Sequence, residues 1–178
     1  MKTITHRISA LAIAMLLFAA LVGYSPTSHA GGCGYYDPGT KFQEQLIYGN
    51  VPGIGNTLIG KLSLYYSSVY KGTNIACLTH EGIAYNVPLH TAVKIWRCAA
   101  PPKPGSNGCA HTDAFHEDIG RRYKQIAGAV QVTGTRDRCV IVYGHIQVPG
   151  TKRVKIVVMK PTGCLFATEP QVINGTLP

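Results

Sequence analysis

After its first thirty residues the chain is written in short alternating runs. In "KLSLYYSS" (61–68), Leu62 and Leu64 fall on one face and Lys61, Ser63 and Tyr65 on the other; in "TAVKIW" (91–96), Ala92, Lys94 and Trp96 oppose Val93 and Ile95. "RCVIVYGHI" (138–146) and "VKIVVM" (154–159) are dense in the β-branched residues that suit a pleated surface. Turn clusters divide these runs: "NVPGIGN", "YKGTN", "NVP", "PPKPGSNG", "VTGTRD", "VPGT" and "KPTG". Turns recurring about every ten residues, without a helical window, predict an all-β domain. The expected form is a compact sandwich or barrel of about 7–8 short strands. The stretch "HTDAFHEDIGRRYKQIAGAV" (111–130) fits this pattern least and is expected to begin as a short helix before joining a strand.

The first thirty residues follow different rules. Lys2 and Arg7 precede thirteen apolar residues (10–22), then come Pro26 and the small-residue site "SHA" (28–30). An apolar run of that length is short for a bilayer, and the whole pattern is that of a cleaved secretory signal. Residues 1–30 are therefore expected to be a leader and 31–178 a single exported domain with no integral membrane segment. "AGGC" (30–33) offers a competing reading, a lipidated Cys33. The apolar run ends far from that cysteine, however, and lipidation would leave an odd number of thiols.

All six cysteines, Cys33, Cys77, Cys98, Cys109, Cys139 and Cys164, fall in the exported part. An even number outside the cytosol reads as a disulfide framework. Cys98 and Cys109 bracket the Pro/Gly-rich "AAPPKPGSNG", so a bridge between them would clamp a loop at its neck. The expected remainder pairs Cys77 with Cys139 and Cys33 with Cys164, although neither long pairing follows from sequence alone.

Several chemistries can be weighed by what they require. "GNTLIGKL" (55–62) approaches the phosphate-binding loop G-x-x-x-x-G-K-[ST], but Leu62 stands where the magnesium-binding hydroxyl belongs, and Pro52 interrupts the segment upstream. "KLSLYY" then continues as a strand rather than a helix. The exported part has eight acidic residues with no patterned pair for glycoside hydrolysis, no G-x-S-x-G elbow, and no thiol left over from an all-paired framework. A non-enzymatic protein without cofactor is expected. The densest polar group, "HTDAFHED", contains His111, Asp113, His116 and Asp118 as weak metal-ligand candidates. His111 and His116 are five apart, which points them away from each other on a helix or a strand, so a solvated turn is the plainer expectation.

Charge adds a lead. Removing Lys2 and Arg7 from seventeen basic residues leaves fifteen against eight acidic, a net charge of +7. Arg121, Arg122 and Lys124 form one concentration, Arg136 and Arg138 another, and Lys152, Arg153, Lys155 and Lys160 a third. Convergence of the first two on one face would attract anionic polymers such as wall teichoic acids or extracellular DNA, without specificity for nucleic acid. For "TKRVKIVVMK", protection of a strand edge is the better reading, since Arg153 and Lys155 share the face opposite Val154 and Ile156. The exported tyrosines suit cross-strand pairs more than sugar stacking.

"CGYYDPG", "GKLSLYYSSVYKGTNIACLTH", "DIGRRYKQIAGAVQV" and "RCVIVYGHI" together resemble the spore-associated protein A family of small secreted bacterial proteins. Cys33 and Gly34, Leu64 and Tyr66, Gly72, Asn74 and Cys77, Asp118 and Gly120, Ala127, Gly128 and Val130, and Cys139, Val140 and Gly144 occupy the matching positions. Ile126 and Ala129 depart from the family's tyrosine and proline, and the 98–109 loop looks like an addition. The resemblance implies a secreted, non-enzymatic protein found with spores or the cell surface, whose partners are surface components. The rival expectation is a secreted inhibitor or antimicrobial protein that presents the clamped loop to a foreign protein.

Overall fold

A computed structural model describes Cys33 and residues 39–100, 109, 111–162 and 170–177. Residues 1–30, residues 101–108 and Cys164 lie outside the described residues, as do the side chains at 121, 161 and 162. Residues 31–178 form one compact unit. Among the described residues nine strands follow in order: β1 (Thr40–Val51), β2 (Gly55–Ser67), β3 (Thr73–His80), β4 (Leu89–Cys98), β5 (Thr112–Tyr123), β6 (Ile126–Thr133), β7 (Val140–Gln147), β8 (Arg153–Thr162) and β9 (Gln171–Thr176). They make two antiparallel sheets, one ordered β1-β2-β3-β6 and the other β5-β4-β7-β8-β9. The fold is a β-sandwich and not a closed barrel, with more strands than the turn spacing suggested.

Alternation explains the core. Leu62 and Leu64 on β2, Ala76 and Leu78 on β3, Val93 and Ile95 on β4, Val142 and Ile146 on β7, and Val157 and Met159 on β8 are fully buried between the sheets. Burying one such large side chain contributes about 1.5–3 kcal/mol. Gly144 permits the close approach of the layers: a Cβ there would lie 2.9 Å from Leu78 Cδ1 and 3.0 Å from Leu62 Cδ1. β9 contributes little to this core, since five of its six residues are exposed, Val172 and Ile173 among them.

The disulfides correct two expected pairings. Cys33 is bridged to Cys77, and Cys98 to Cys109 as the loop predicted. Because Ala76 and Leu78 point into the core, Cys77 points out of the first sheet, away from the second sheet that carries Cys139. There, Cys33, Ile75 and Cys77 form a small outer cluster with Tyr65, Ile126 and Ala129. The Cys33–Cys77 bridge excludes the expected pairings of Cys77 with Cys139 and of Cys33 with Cys164, and it occupies the sulfur that lipidation of Cys33 would need; Cys139 is disulfide-bonded as well.

The segment expected to start as a helix is instead strand β5 over Thr112–Tyr123, bending at 124–125 into β6. β5 carries Ala114, His116, Asp118 and Gly120 on its inner side, where His116 and Asp118 bond the edge of β6 and Ala114 packs against the core. The strand is hard to read because that inner side is polar. Arg153 also differs from expectation: β8 is an interior strand, and Arg153 Nη2 donates to Asn50 O at 3.0 Å, tying it to the end of β1.

Candidate functional site

Two turn-rich connections meet at one end of the sandwich. The β2–β3 connection holds Tyr70 and Lys71 in the left-handed region (φ 54° and 61°), followed by Gly72 (φ 92°). The β6–β7 connection adds Gly134 (φ 65°) and Asp137 (φ 59°). Left-handed residues other than glycine cost free energy and persist where surrounding structure holds them. Here the hold is a backbone zipper: Gly134 N donates to Tyr70 O at 3.1 Å, Thr135 N to Gly72 O at 3.1 Å, and Arg136 N to Lys71 O at 3.0 Å. Position 72 requires glycine, because a Cβ would lie 2.7 Å from Arg136 N.

The zipper creates a hollow of about 380 Å³ lined by Lys71, Gly134, Arg136, Asp137 and Arg138. Arg138 Nη1 donates to Ala99 O, which fixes the arginine beside the neck of the 98–109 loop. Arg97 lies next to the hollow, donating through Nη1 to Thr133 O and through Nε to Asp113 Oδ1 at 2.7 Å. That hydrogen bond, with the guanidinium charge, holds the Asp113 carboxyl below the usual range. Lys71, Arg136 and Asp137 make no ion pair or side-chain hydrogen bond among the described residues. Thr135, 3 % exposed, keeps its hydroxyl without a hydrogen-bond partner among those residues. The lining residues of the hollow are thus two arginines, one lysine, one aspartate and a glycine, with the Arg138 guanidinium already bonded to Ala99 O.

The two expected basic concentrations do not converge. Arg121, Arg122 and Lys124 sit where β5 turns into β6, whereas Arg136 and Arg138 follow the far end of β6. The eight residues of β6 separate the two ends, seven steps of strand or roughly 24 Å. Arg122 and Lys124 are exposed there, and the side chain of Arg121 lies outside the described residues. Lys71 was not singled out in the sequence; its only signal was the turn "YKGTN".

The weak metal candidates are also separated. His111 is exposed, and Asp113 is paired with Arg97. His116 Nδ1 accepts from Gln131 N at 3.1 Å, and Asp118 accepts from Gly128 N at 2.6 Å and from the Tyr123 hydroxyl. These groups satisfy the edge of β6 and clasp the two sheets together. Burial, and then the Asp118 carboxylate, push the Tyr123 hydroxyl up to about 12. Among the described residues no group of three or more His, Cys, Asp or Glu side chains has an arrangement able to hold a metal ion.

A second polar constellation lies on the outer face of the five-stranded sheet. His90 Nδ1 and His145 Nε2 are 2.8 Å apart, the Tyr143 hydroxyl is 3.2 Å from His145 Nδ1, and Lys94 pairs with Glu117 at 2.9 Å. Burial, followed by the neighbouring His90 and Lys94, holds His145 down to about 4. A Tyr143 hydroxyl donating to Nδ1 places the His145 proton on Nε2, facing His90. His80, buried on β3 against Thr91 Oγ1 (2.8 Å) and Ala84 O (3.3 Å), is likewise lowered by burial.

Fold and site thus define a disulfide-bonded β-sandwich with a cationic hollow at one end. The chain matches no family model, no curated protein and no solved structure. Among the described residues no helix is long and apolar enough to cross a membrane.

Proposed function

We propose that this is a secreted, non-enzymatic protein of the spore or cell surface that holds anionic polymers in the hollow between the β2–β3 and β6–β7 connections. The observation that carries the reading is the placement of Lys71, Arg136 and Arg138 around one concavity by a backbone zipper that includes two left-handed non-glycine residues, Tyr70 and Lys71. Arginine presents a planar fork that matches phosphate, and lysine adds a point charge. The leader-like first thirty residues and the resemblance to spore-associated proteins support export and surface residence.

Co-sedimentation of the oxidised protein with isolated spores and cell walls across a salt series tests this. Retention should fall steeply with salt, and Lys71→Ala with Arg136→Ala should flatten the salt dependence by about one unit of slope per cation removed. Retention that both variants leave unchanged would place the contact elsewhere; no retention at any salt would end the surface reading. The Cys98–Cys109 bridge favours a second reading, an inhibitor presenting residues 101–108. Protease inhibition lost on replacing that segment would support it.

A further inference from the structure

The hollow is not purely cationic. Asp137 lines it beside Lys71, Arg136 and Arg138, yet its carboxylate makes no ion pair or side-chain hydrogen bond with any of them. Its backbone is held at φ 59° within a turn closed by Arg138 N donating to Thr135 O at 3.1 Å. A carboxylate at that place has two effects on a ligand. It repels a chain that is anionic at every atom it presents, and it supplies acceptors to a ligand carrying hydroxyl donors next to its charge. A site with acceptors to satisfy discriminates against an analogue that lacks the donors.

The hollow is open to solvent rather than enclosed, so it can receive a stretch of a longer chain. Its basic residues, Lys71, Arg136 and Arg138, would meet phosphates, and Asp137 would meet what lies between them.

We propose that the hollow selects a phosphodiester-linked polyol, a chain of alternating phosphate and hydroxyl-bearing carbons, over a bare polyanion, with Asp137 as the specificity-determining residue. This rests on the anionic-polymer reading given above, and the two can fail separately.

The test compares binding of poly(glycerol phosphate) and of inorganic polyphosphate of matched length to the oxidised protein at one ionic strength, by titration calorimetry. The wild-type protein should prefer poly(glycerol phosphate) by about tenfold, a modest figure because the site is open to solvent. Asp137→Asn keeps a residue that tolerates the left-handed turn. It should tighten polyphosphate binding and bring the ratio to about two or less. A Lys71→Ala control should weaken both polymers alike.

Equal wild-type affinity for the two polymers would overturn the selection while leaving anion binding intact. A preference that Asp137→Asn does not change would overturn the role of Asp137. Binding to neither polymer would overturn both this inference and the reading beneath it. Unchanged thermal unfolding of each variant establishes that the comparison is made on folded protein.

Discussion

Acidification from pH 7 to pH 4 should destabilise the fold, and His145 should account for a measurable share. In the unfolded chain this imidazole gains its proton near 6.5. In the folded protein it stays neutral until about 4, because burial and the neighbours His90 and Lys94 disfavour the charge. Between those values the unfolded state binds more protons, so stability falls as pH falls, and the loss is complete below about 4. The full difference of about 2.5 units corresponds to about 3.4 kcal/mol. His145 is only partly buried, and solvent screening reduces this by about half, to about 1.5 kcal/mol. Urea unfolding at pH 7, 5.5 and 4 reads it out. With a slope of about 2 kcal/mol/M, the midpoint should drop by about 0.7 M on this account. His145→Gln is the comparison, since an amide can still accept from Tyr143 and donate to His90 without titrating. His80 pulls in the same direction in both proteins and cancels. Wild type and variant losing the same stability over this range would refute the reasoning.

Three further outcomes are expected. Replacing Cys33 and Cys77 together by serine should cost about 4 kcal/mol on the chain-entropy argument, against about 3 kcal/mol for the shorter Cys98–Cys109 loop; denaturant titrations of the two double variants should rank in that order. Asp118→Ala should cost about 2 kcal/mol, since it leaves Gly128 N without its charged acceptor, and should let the Tyr123 phenol titrate nearer 10 by ultraviolet absorbance. Ile173→Lys on the exposed β9 should change stability by no more than about 0.5 kcal/mol, whereas Ile95→Ala in the core should cost about 2–5 kcal/mol. Thermal unfolding would distinguish the two.

Sequence alone determined whatever depends on neighbours a few residues apart. Leu62 with Leu64 and Val93 with Ile95 fall inward because strand periodicity admits no other common face. The clamp between Cys98 and Cys109 was legible because eleven residues of separation keep its ends close in any fold. Tertiary structure decided the rest. Cys77 was matched with the wrong partner because which face of β3 meets the core depends on the sheet packed against it. β5 was misread because its inner side, with His116 and Asp118, bonds the backbone edge of β6 instead of burying apolar surface. Arg136 and Arg138 were visible as a pair, but Lys71 joins them across more than sixty residues of chain through the zipper of two connections. Alternation is a local property of the backbone, whereas the hollow is assembled from segments that only the pairing of β3 with β6 brings together.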